Sequence, residues 1–375
     1  METISFKYPQ VKNFINGNFV ESNEQTIEVL SPLDGSVLST VPLASAQTLD
    51  EAVKAAEAAF PSWSSTPIKE RVQIFYAYRQ LLLHHIHELT QLVSVENGKT
   101  YGEAKAEIEK AIELTEFACS LPQIIGGETL EVSKGVECKT EYVPLGVVAS
   151  IVPFNFPSMV PHWTIPNAIV LGNTMILKPS EQVPLSSMRI AELLKEAGLP
   201  DGVLNIVNGD KTIVEAICDH PAIQAISFVG STKVAKLVYA RGTSNLKRVL
   251  ALGGAKNHLV VLPDAQPEMT ATNVVASAIG CAGQRCMAAS VMLAVGDVGH
   301  IIDRMKIEAQ KGVCGTNLGA IINKNSKEKI ERYITEAEKA GATILVDGRN
   351  QLVPGREDGY YVGPTIIDNV TPDMS

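Results

Sequence analysis

The sequence of 375 residues lacks any apolar run near the ~18 residues that cross a bilayer. Its most apolar stretch, 146–153, is only as long as a strand. It also lacks an excess of positive charge, because 32 Lys and Arg stand against 41 Asp and Glu, and a net charge of −9 would repel a phosphate backbone. We therefore expect neither a membrane protein nor a nucleic-acid partner.

Cysteine is scarce, with six residues and no CxxC pair, which indicates neither a disulfide framework nor a zinc site and leaves any functional cysteine as a thiol. The segment METISFKYPQVK has no apolar core, and no Arg precedes Arg71, so no secretory or mitochondrial presequence is indicated. We expect a cytoplasmic protein. A composition of 45% hydrophobic and 19% charged residues supports a packed core, and the length predicts two domains or one large one.

The first third of the chain has mostly helical patterns. We predict helices at 48–60, where Pro61 is expected to end the run, at 68–95 with a break, and at 101–120. Between 126 and 142 the pattern changes to alternating polar and β-branched residues around Lys134-Gly135, which predicts a β-hairpin. Such an exposed ribbon often pairs with another subunit.

From Val147 onward, short β-branched runs alternate with helical segments. Strands are predicted at 147–152, 174–178, 203–207 and 225–229, with helices at 186–197, 211–218 and 232–241. This alternation predicts βαβ units in a parallel sheet, with ligands at the carboxyl ends of its strands. A second alternating set begins near Asn257, which places a domain boundary at Gly253-Gly254.

A loop between a predicted helix and strand contains Gly283-Gln284-Arg285-Cys286-Met287. A free thiol has a pKa of ~8.5, so a nucleophilic Cys286 would need a positive field, and Arg285 is adjacent. The alternative is a small buried side chain, which is the more usual role of a lone cysteine.

A second pattern directly follows a predicted strand. In Pro153-Phe154-Asn155-Phe156-Pro157, two prolines fix the backbone around an amide that can stabilise an oxyanion; the alternative is an Asn that stabilises a turn.

A nucleotide site is indicated by Lys178 and Glu181, which suit ribose hydroxyls, and by Gly230-Ser231 before a helix, which suits a pyrophosphate. No GxGxxG is present, and Gly-Ser-Thr can also be a simple helix cap. Gly253, in the motif 251–258, suits a close backbone approach or a hinge.

In this order and spacing, the motifs resemble the aldehyde dehydrogenase superfamily along the whole chain, from Phe14-Ile15-Asn16-Gly17 to 359–365 (GYYVGPT). The segments 251–258 (ALGGAKNH) and 283–288 (GQRCMA) resemble its CoA-acylating methylmalonate and malonate semialdehyde branch. The resemblance implies an α/β fold with a parallel-sheet NAD-binding domain at 1–123 and 144–252. It also implies an oligomerisation hairpin at 124–143 and a catalytic domain at 253–375.

The resemblance also implies the roles of individual residues. Cys286 would attack the aldehyde, and the Asn155 amide and the Cys286 N–H would hold the oxyanion while a hydride passes to NAD. The residues it assigns to the cofactor are Phe154, Lys178, Glu181, Gln182, Gly230, Ser231 and Gly253.

For the substrate carboxylate it implies Arg285, and Lys110 where the subfamily has a second Arg; a lysine cannot form the same bidentate fork.

At position 251 this chain has Ala where most of the superfamily has a Glu that activates the deacylating water. Without that base, CoA is expected to release the acyl group, giving acetyl-CoA or propionyl-CoA with loss of CO2, as in inositol or valine breakdown. One alternative is a hydrolytic dehydrogenase with another base. Since family members continue for roughly a hundred residues beyond Ser375, the other is a truncated chain that binds nucleotide or pairs with a complete subunit. A complete form is expected to be a dimer or tetramer.

Overall fold

The computed structural model describes residues 7–374, so the first six residues of the segment inspected for a presequence lie outside it. Within that range, no helix combines the length and apolarity that crossing a membrane requires. The elements of the first part of the chain are β1 (Asn13–Ile15), β2 (Asn18–Val20), β3 (Thr26–Leu30), β4 (Val37–Pro42), α1 (Ala46–Ser65), α2 (Ile68–His84), α3 (Ile86–Asn97), α4 (Tyr101–Ile124), β5 (Glu128–Ser133), β6 (Val136–Thr140), β7 (Val147–Ile151), α5 (Met159–Val170), β8 (Thr174–Lys178), α6 (Leu185–Glu196), β9 (Leu204–Ile206), α7 (Lys211–Asp219), β10 (Ile223–Val229), α8 (Thr232–Ser244) and β11 (Arg248–Leu252).

The later elements follow a glycine-rich connection. They are β12 (His258–Val261), α9 (Pro267–Ile279), a 3-10 turn (Gly280–Gly283), β13 (Val291–Ala294), α10 (Gly299–Ala309), α11 (Lys324–Lys339), β14 (Thr343–Val346) and β15 (Ile366–Asp368).

The described residues separate into two compact units. Unit 1 takes 7–29, 39–92 and 105–253, and unit 2 takes 30–38, 93–104 and 254–374. The sequence analysis placed 30–38 and 93–104 with the first domain. Their main-chain hydrogen bonds explain the difference, because Ala320 donates to the Gly98 carbonyl at 2.8 Å and Tyr360 donates to the Pro32 carbonyl at 2.9 Å.

A seven-stranded sheet forms the centre of unit 1, in the order β11-β10-β7-β8-β9-β1-β2. The strands from β11 to β9 pair in parallel, and β1 pairs with β9 antiparallel. Every residue of β7 (VVASI) and β8 (TMILK) is buried, as expected for central parallel strands covered on both faces. The predicted α/β fold with a parallel sheet is confirmed.

The sheet order brings the carboxyl ends of three strands side by side. Ile151 at the end of β7 lies opposite Lys178 of β8 and Phe228 of β10. The chain leaves β7 for β8 on one side and later returns to β10 on the other, so this edge is the topological switch point of the sheet, where ligands bind in such folds.

Helix α1 differs from its prediction. It continues through Pro61 to Ser65, so the prediction that Pro61 ends it is wrong. Proline removes one helical hydrogen bond, but the following turn contains Trp63, which is buried and donates from Nε1 to the Ile169 carbonyl at 3.0 Å. Tertiary burial therefore outweighs the local preference.

The C-terminal end of α5 is held by a buried arginine. Arg71 is 7% exposed, and its Nε donates to the Val170 carbonyl at 2.8 Å, while Nη1 donates to the Thr66 carbonyl at 2.5 Å and the Ser64 carbonyl at 3.2 Å. Burial lowers the pKa of this guanidinium. Arg71 thus satisfies carbonyls at two helix ends that would otherwise lack donors.

The predicted hairpin is confirmed as β5 and β6, which pair antiparallel with Leu130 opposite Cys138. Both strands are exposed along their full length, and Gly135 in the turn has a φ of 74°. Its pairing with another subunit stays a prediction.

Unit 2 contains a small parallel sheet, in which β12 pairs with β13 from His258 opposite Val291 to Val261 opposite Ala294. Helices α9 and α10 pack against it around a core that includes Val261, Val274 and Ile301. A separate antiparallel pair joins β14 and β15. Helix α9 leads directly into the turn before Cys286, so this layer positions the cysteine loop.

We expect Arg71→Met to lower the free energy of unfolding by about 2–3 kcal/mol, because the carbonyls of Thr66 and Val170 would be left without donors. Urea unfolding followed by circular dichroism measures this. Arg79→Met is the matched control, since Arg79 on the same helix pairs with the part-exposed Glu116 and its loss should cost under about 1 kcal/mol. Equal losses from both variants would contradict the role given to Arg71.

Candidate active site

At the switch-point edge of unit 1, a buried lysine faces an accessible carboxylate. Lys178 ends β8, is 4% exposed, and donates from Nζ to Glu181 Oε2 at 3.1 Å. Glu181 keeps a third of its side chain exposed. Asp210, the N-cap of α7, has its pKa lowered mainly by the Thr212 N–H, with a smaller effect of the Lys178 charge. Lys178 and Glu181 thus offer a donor and an acceptor suited to adjacent hydroxyls.

The neighbouring strand β10 ends in Gly230 and Ser231. A Cβ at Gly230 would lie 2.6 Å from the Phe228 ring, so a larger residue there would require the ring to shift. Ser231 is the N-cap of α8 but makes no side-chain capping bond, and a Cβ at Gly253 would lie 3.2 Å from Thr232 Oγ1. An exposed helix N-terminus flanked by two close-packed glycines fits a pyrophosphate.

Phe154, Asn155 and Phe156 are half-buried in the loop that joins β7 to α5. The far end of this loop is fixed by Glu107, which is 2% exposed and accepts from the Ser158 N–H at 2.8 Å and the Met159 N–H at 3.0 Å. The sequence analysis missed Glu107. Its one signal was a place on the buried face of α4, beside Ala104 and Ile108.

Behind the same loop, His162 and Tyr78 form a fully buried pair. His162 Nδ1 donates to the Ser158 carbonyl at 2.6 Å, and Tyr78 donates its hydroxyl proton to His162 Nε2 at 2.8 Å. Burial lowers the pKa of His162 to about 4 and raises that of Tyr78. The imidazole is therefore neutral at physiological pH and supports the loop without adding charge.

In unit 2, Cys286 lies exposed in a turn between α9 and β13. Burial raises the pKa of Cys119 and of Cys218 to about 11, and it also raises the pKa of the half-buried Cys314. Cys281 is buried, and the other exposed cysteine, Cys138, lies on the hairpin. Exposure and position therefore favour Cys286 as the nucleophile among the six cysteines.

The Cys286 loop is fixed from both sides by amide side chains. Asn257 donates from Nδ2 to the carbonyls of Cys286 and Ala288, at 2.7 and 2.9 Å. Gln284 accepts from the Ile322 N–H at 3.0 Å and donates to the Ala320 carbonyl at 3.0 Å. These bonds anchor the main chain next to the thiol.

Arg285 is a loop anchor as well as a neighbour of the thiol. Its Nη2 donates to the carbonyls of Ala276 and Ser277, at 2.9 and 3.0 Å, at the C-terminal end of α9. A Cβ at Gly280 would collide with the guanidinium. Among the described residues, the buried Nε has no hydrogen-bond partner. This anchoring role could not be predicted from the sequence, because it depends on carbonyls that no motif reveals.

The turn before the loop has unusual backbone angles. Cys281, Ala282 and Gly283 have φ values of 53°, 54° and 72°. A left-handed conformation costs about 1–2 kcal/mol for each residue that carries a Cβ. The Cys281 N–H donates to Glu103 Oε1 at 2.6 Å. The sequence analysis did not single out Glu103.

The remaining assigned residues are less informative. Lys110 is exposed on α4 and pairs with Glu113 on the same helix, and its substrate role stays a prediction. Gln182 is half-buried, and its N–H donates to Ser180 Oγ at 3.3 Å. From residue 7 to residue 374, no three His, Cys, Asp or Glu side chains are grouped so as to hold a metal ion.

A nucleotide-type edge lies in one unit, and an anchored, exposed thiol lies in the other. The chain belongs to the aldehyde dehydrogenase family, whose model matches residues 19–375. It is 45% identical over 374 residues to malonate-semialdehyde dehydrogenase 2 of Geobacillus kaustophilus, covering 97% of this chain and 77% of that protein.

Solved structures agree with this assignment. The structure of methylmalonate-semialdehyde dehydrogenase from Oceanimonas doudoroffii has a TM-score of 0.96 at 43% identity and covers 98% of this chain and 77% of that one. The NAD+ complex of an aldehyde dehydrogenase from Bacillus cereus has a TM-score of 0.92 at 32% identity, covering 98% of this chain and 76% of that one. The predicted family and fold are confirmed.

We expect the neutral His162 to make stability fall on acidification. Since its pKa is about 4 in the folded chain against an ordinary 6.5, the unfolded chain binds the extra proton between these values. Stability from this group is therefore complete above pH 6.5 and falls by about 3 kcal/mol as the pH drops to 4.

Urea unfolding at several pH values from 4 to 7 measures this. In His162→Gln the slope of stability against pH should be flatter, whereas His300→Gln, at an exposed position, should keep the slope of the parent protein. An unchanged slope in His162→Gln would contradict the assignment.

Proposed function

We propose that this protein oxidises malonate or methylmalonate semialdehyde with NAD through a thioester on Cys286, and transfers the acyl group to CoA. The observation that carries the proposal is the exposed Cys286 thiol in a loop whose main chain is anchored by Asn257, Gln284 and Arg285. A fixed, accessible thiol favours covalent attack, because little ordering remains to be done when substrate binds.

The chemistry needs one nucleophile and one oxyanion stabiliser from this chain. The Cys286 thiolate adds to the aldehyde carbon, and the Asn155 amide and the Cys286 N–H are proposed to stabilise the resulting oxyanion. When bound, NAD would accept the hydride from the hemithioacetal carbon, which leaves a thioester on Cys286. The malonyl-type thioester loses CO2 and takes up a proton, and the CoA thiol then displaces Cys286 to give acetyl-CoA or propionyl-CoA.

For the cofactor, the residues at the edge of unit 1 fit a dinucleotide. The Lys178–Glu181 pair suits the ribose hydroxyls of adenosine, and the glycine-flanked start of α8 suits the pyrophosphate. A 2′-phosphate would meet the Glu181 carboxylate, which favours NAD over NADP. The Bacillus cereus relative was solved with NAD+.

For the substrate, a carboxylate is favoured by Arg285. Arg285 is adjacent to Cys286 and partly exposed, and a hydrogen bond from a charged group to a carboxylate contributes about 1.5–3 kcal/mol. The relatives in Geobacillus kaustophilus and Oceanimonas doudoroffii are named for malonate and methylmalonate semialdehyde.

For the acyl acceptor, the argument rests on Ala251. It lies in β11 opposite Phe228, with its side chain packed against the unit 1 core, and it offers no base for a water molecule. A thiol attacks a thioester without such a base far better than water does. CoA is therefore the proposed acceptor.

The exposed β5–β6 hairpin is proposed to pair subunits in an oligomer.

We expect malonate semialdehyde and NAD alone to give a burst of about one NADH per active site, followed by steady turnover only when CoA is added. Absorbance at the NADH band measures both phases, and Cys286→Ser should abolish the burst. A control pair tests the cause: Ala251→Glu should turn over without CoA, whereas Ala251→Gln, similar in size but not a base, should not. Steady turnover of the parent protein without CoA would instead establish a hydrolytic enzyme.

We expect Glu181→Gln to improve kcat/KM for NADP by about tenfold relative to NAD, because it removes the negative charge that would repel a 2′-phosphate. Steady-state kinetics with both cofactors measure the ratio. Glu192→Gln removes the same charge from the exposed side of α6, where Glu192 pairs with Arg189, and should leave the ratio unchanged. The same ratio in both variants would contradict the placement of the ribose at Glu181.

A further inference from the structure

The turn Cys281–Gly283 has a strained backbone that depends on surrounding contacts. Three successive residues have positive φ, and two of them, Cys281 and Ala282, carry a Cβ. Such a conformation persists only when the surrounding structure determines it. Cys281 is 5% exposed, so its N–H also needs a protein acceptor. A neighbouring group must therefore accept from this N–H and hold the turn in its conformation.

Glu103 supplies them, because its two carboxylate oxygens serve different partners. Oε2 accepts from the Thr100 N–H at 3.2 Å and from the Thr100 hydroxyl at 2.8 Å, which is a capping box at the start of α4. Oε1 accepts from the Cys281 N–H at 2.6 Å. One carboxylate therefore ties the first turn of α4 to the left-handed turn.

The turn is also bonded to the segment that carries the Cys286 thiol. Gln284 Nε2 donates to the Cys281 carbonyl at 3.2 Å and its N–H donates to the same carbonyl at 3.1 Å. Arg285 and Asn257 hold the following peptides. If the turn relaxes, the start of this short segment moves while its end stays anchored, so the direction of the Cys286 side chain changes without loss of the whole loop.

We propose that Glu103 is a positioning residue for Cys286, which acts through the Cys281 N–H and the left-handed turn. The proposal rests on the proposed function, in which Cys286 is the nucleophile. The competing role, a helix cap alone, involves the other carboxylate oxygen, and Thr100 separates the two: Thr100→Ala removes capping contacts but leaves the Glu103–Cys281 bond.

The test measures the reactivity of the thiol directly. In a Cys138→Ser background, which removes the other exposed cysteine, the alkylation of Cys286 by iodoacetamide is followed against pH by peptide mass spectrometry. The NADH burst with malonate semialdehyde is measured in parallel. Glu103→Ala should slow the burst by about tenfold, since misplacement of about 1 Å between bound reactants can cost up to a hundredfold, and the altered surroundings of the thiol should slow alkylation as well. KM should change little.

Three further variants keep the test decisive. Ala282→Gly in the Glu103→Ala background should restore much of the rate, because glycine adopts the left-handed conformation without steric cost. Glu103→Gln, which keeps one acceptor oxygen, serves if Glu103→Ala does not fold, and it should be slowed less. Thr100→Ala should alkylate within about twofold of the background protein, even where its unfolding free energy is lower.

Three results overturn the proposal. They are unchanged alkylation in the folded Glu103 variants, equal slowing in Thr100→Ala, and no rescue by Ala282→Gly. Failure of the proposed function looks different, because the background protein would then alkylate at Cys286 but produce no NADH burst. The alkylation rates would still report on Glu103 in that case.

Discussion

Buried main-chain N–H groups must have acceptors, and at both candidate catalytic loops the acceptor is a carboxylate of α4. Glu107 accepts from Ser158 and Met159 after the Asn155 loop, and Glu103 accepts from Cys281 before the Cys286 loop. A carboxylate suits this task because its oxygens accept several bonds and its charge complements the positive end of a helix such as α5. Much of the precision of either loop depends on these charged contacts.

The sequence predicts well those features that depend on local pattern. The buried runs of β7 and β8 predict central parallel strands, and the strand ends then place Lys178 and Gly230 at one edge of the sheet. Local pattern fails where distant contacts decide. Helix α1 continues through Pro61 because Trp63 is buried against the Ile169 carbonyl, and no spacing rule contains that information.

The candidate residues show the same division. Cys286 and the glycines at 230 and 253 follow from sequence motifs, and the structure then shows the thiol exposed and the glycines close to neighbouring atoms. The supporting residues do not, because Glu103 and Glu107 look like ordinary charges of an amphipathic helix until their loop partners are known. Motifs reveal groups that do the chemistry, while the groups that hold them become visible only in three dimensions.

An arginine at position 285 suits two roles, the anchoring of the loop and the proposed binding of a substrate carboxylate. A guanidinium has five N–H donors in a plane, so Nη2 can bind the Ala276 and Ser277 carbonyls while other donors stay available. A lysine carries its three donors on one nitrogen and cannot present them at separate points in the same way. The anchoring bonds therefore do not compete with the proposed substrate role, since they fix the orientation in which the remaining donors are presented.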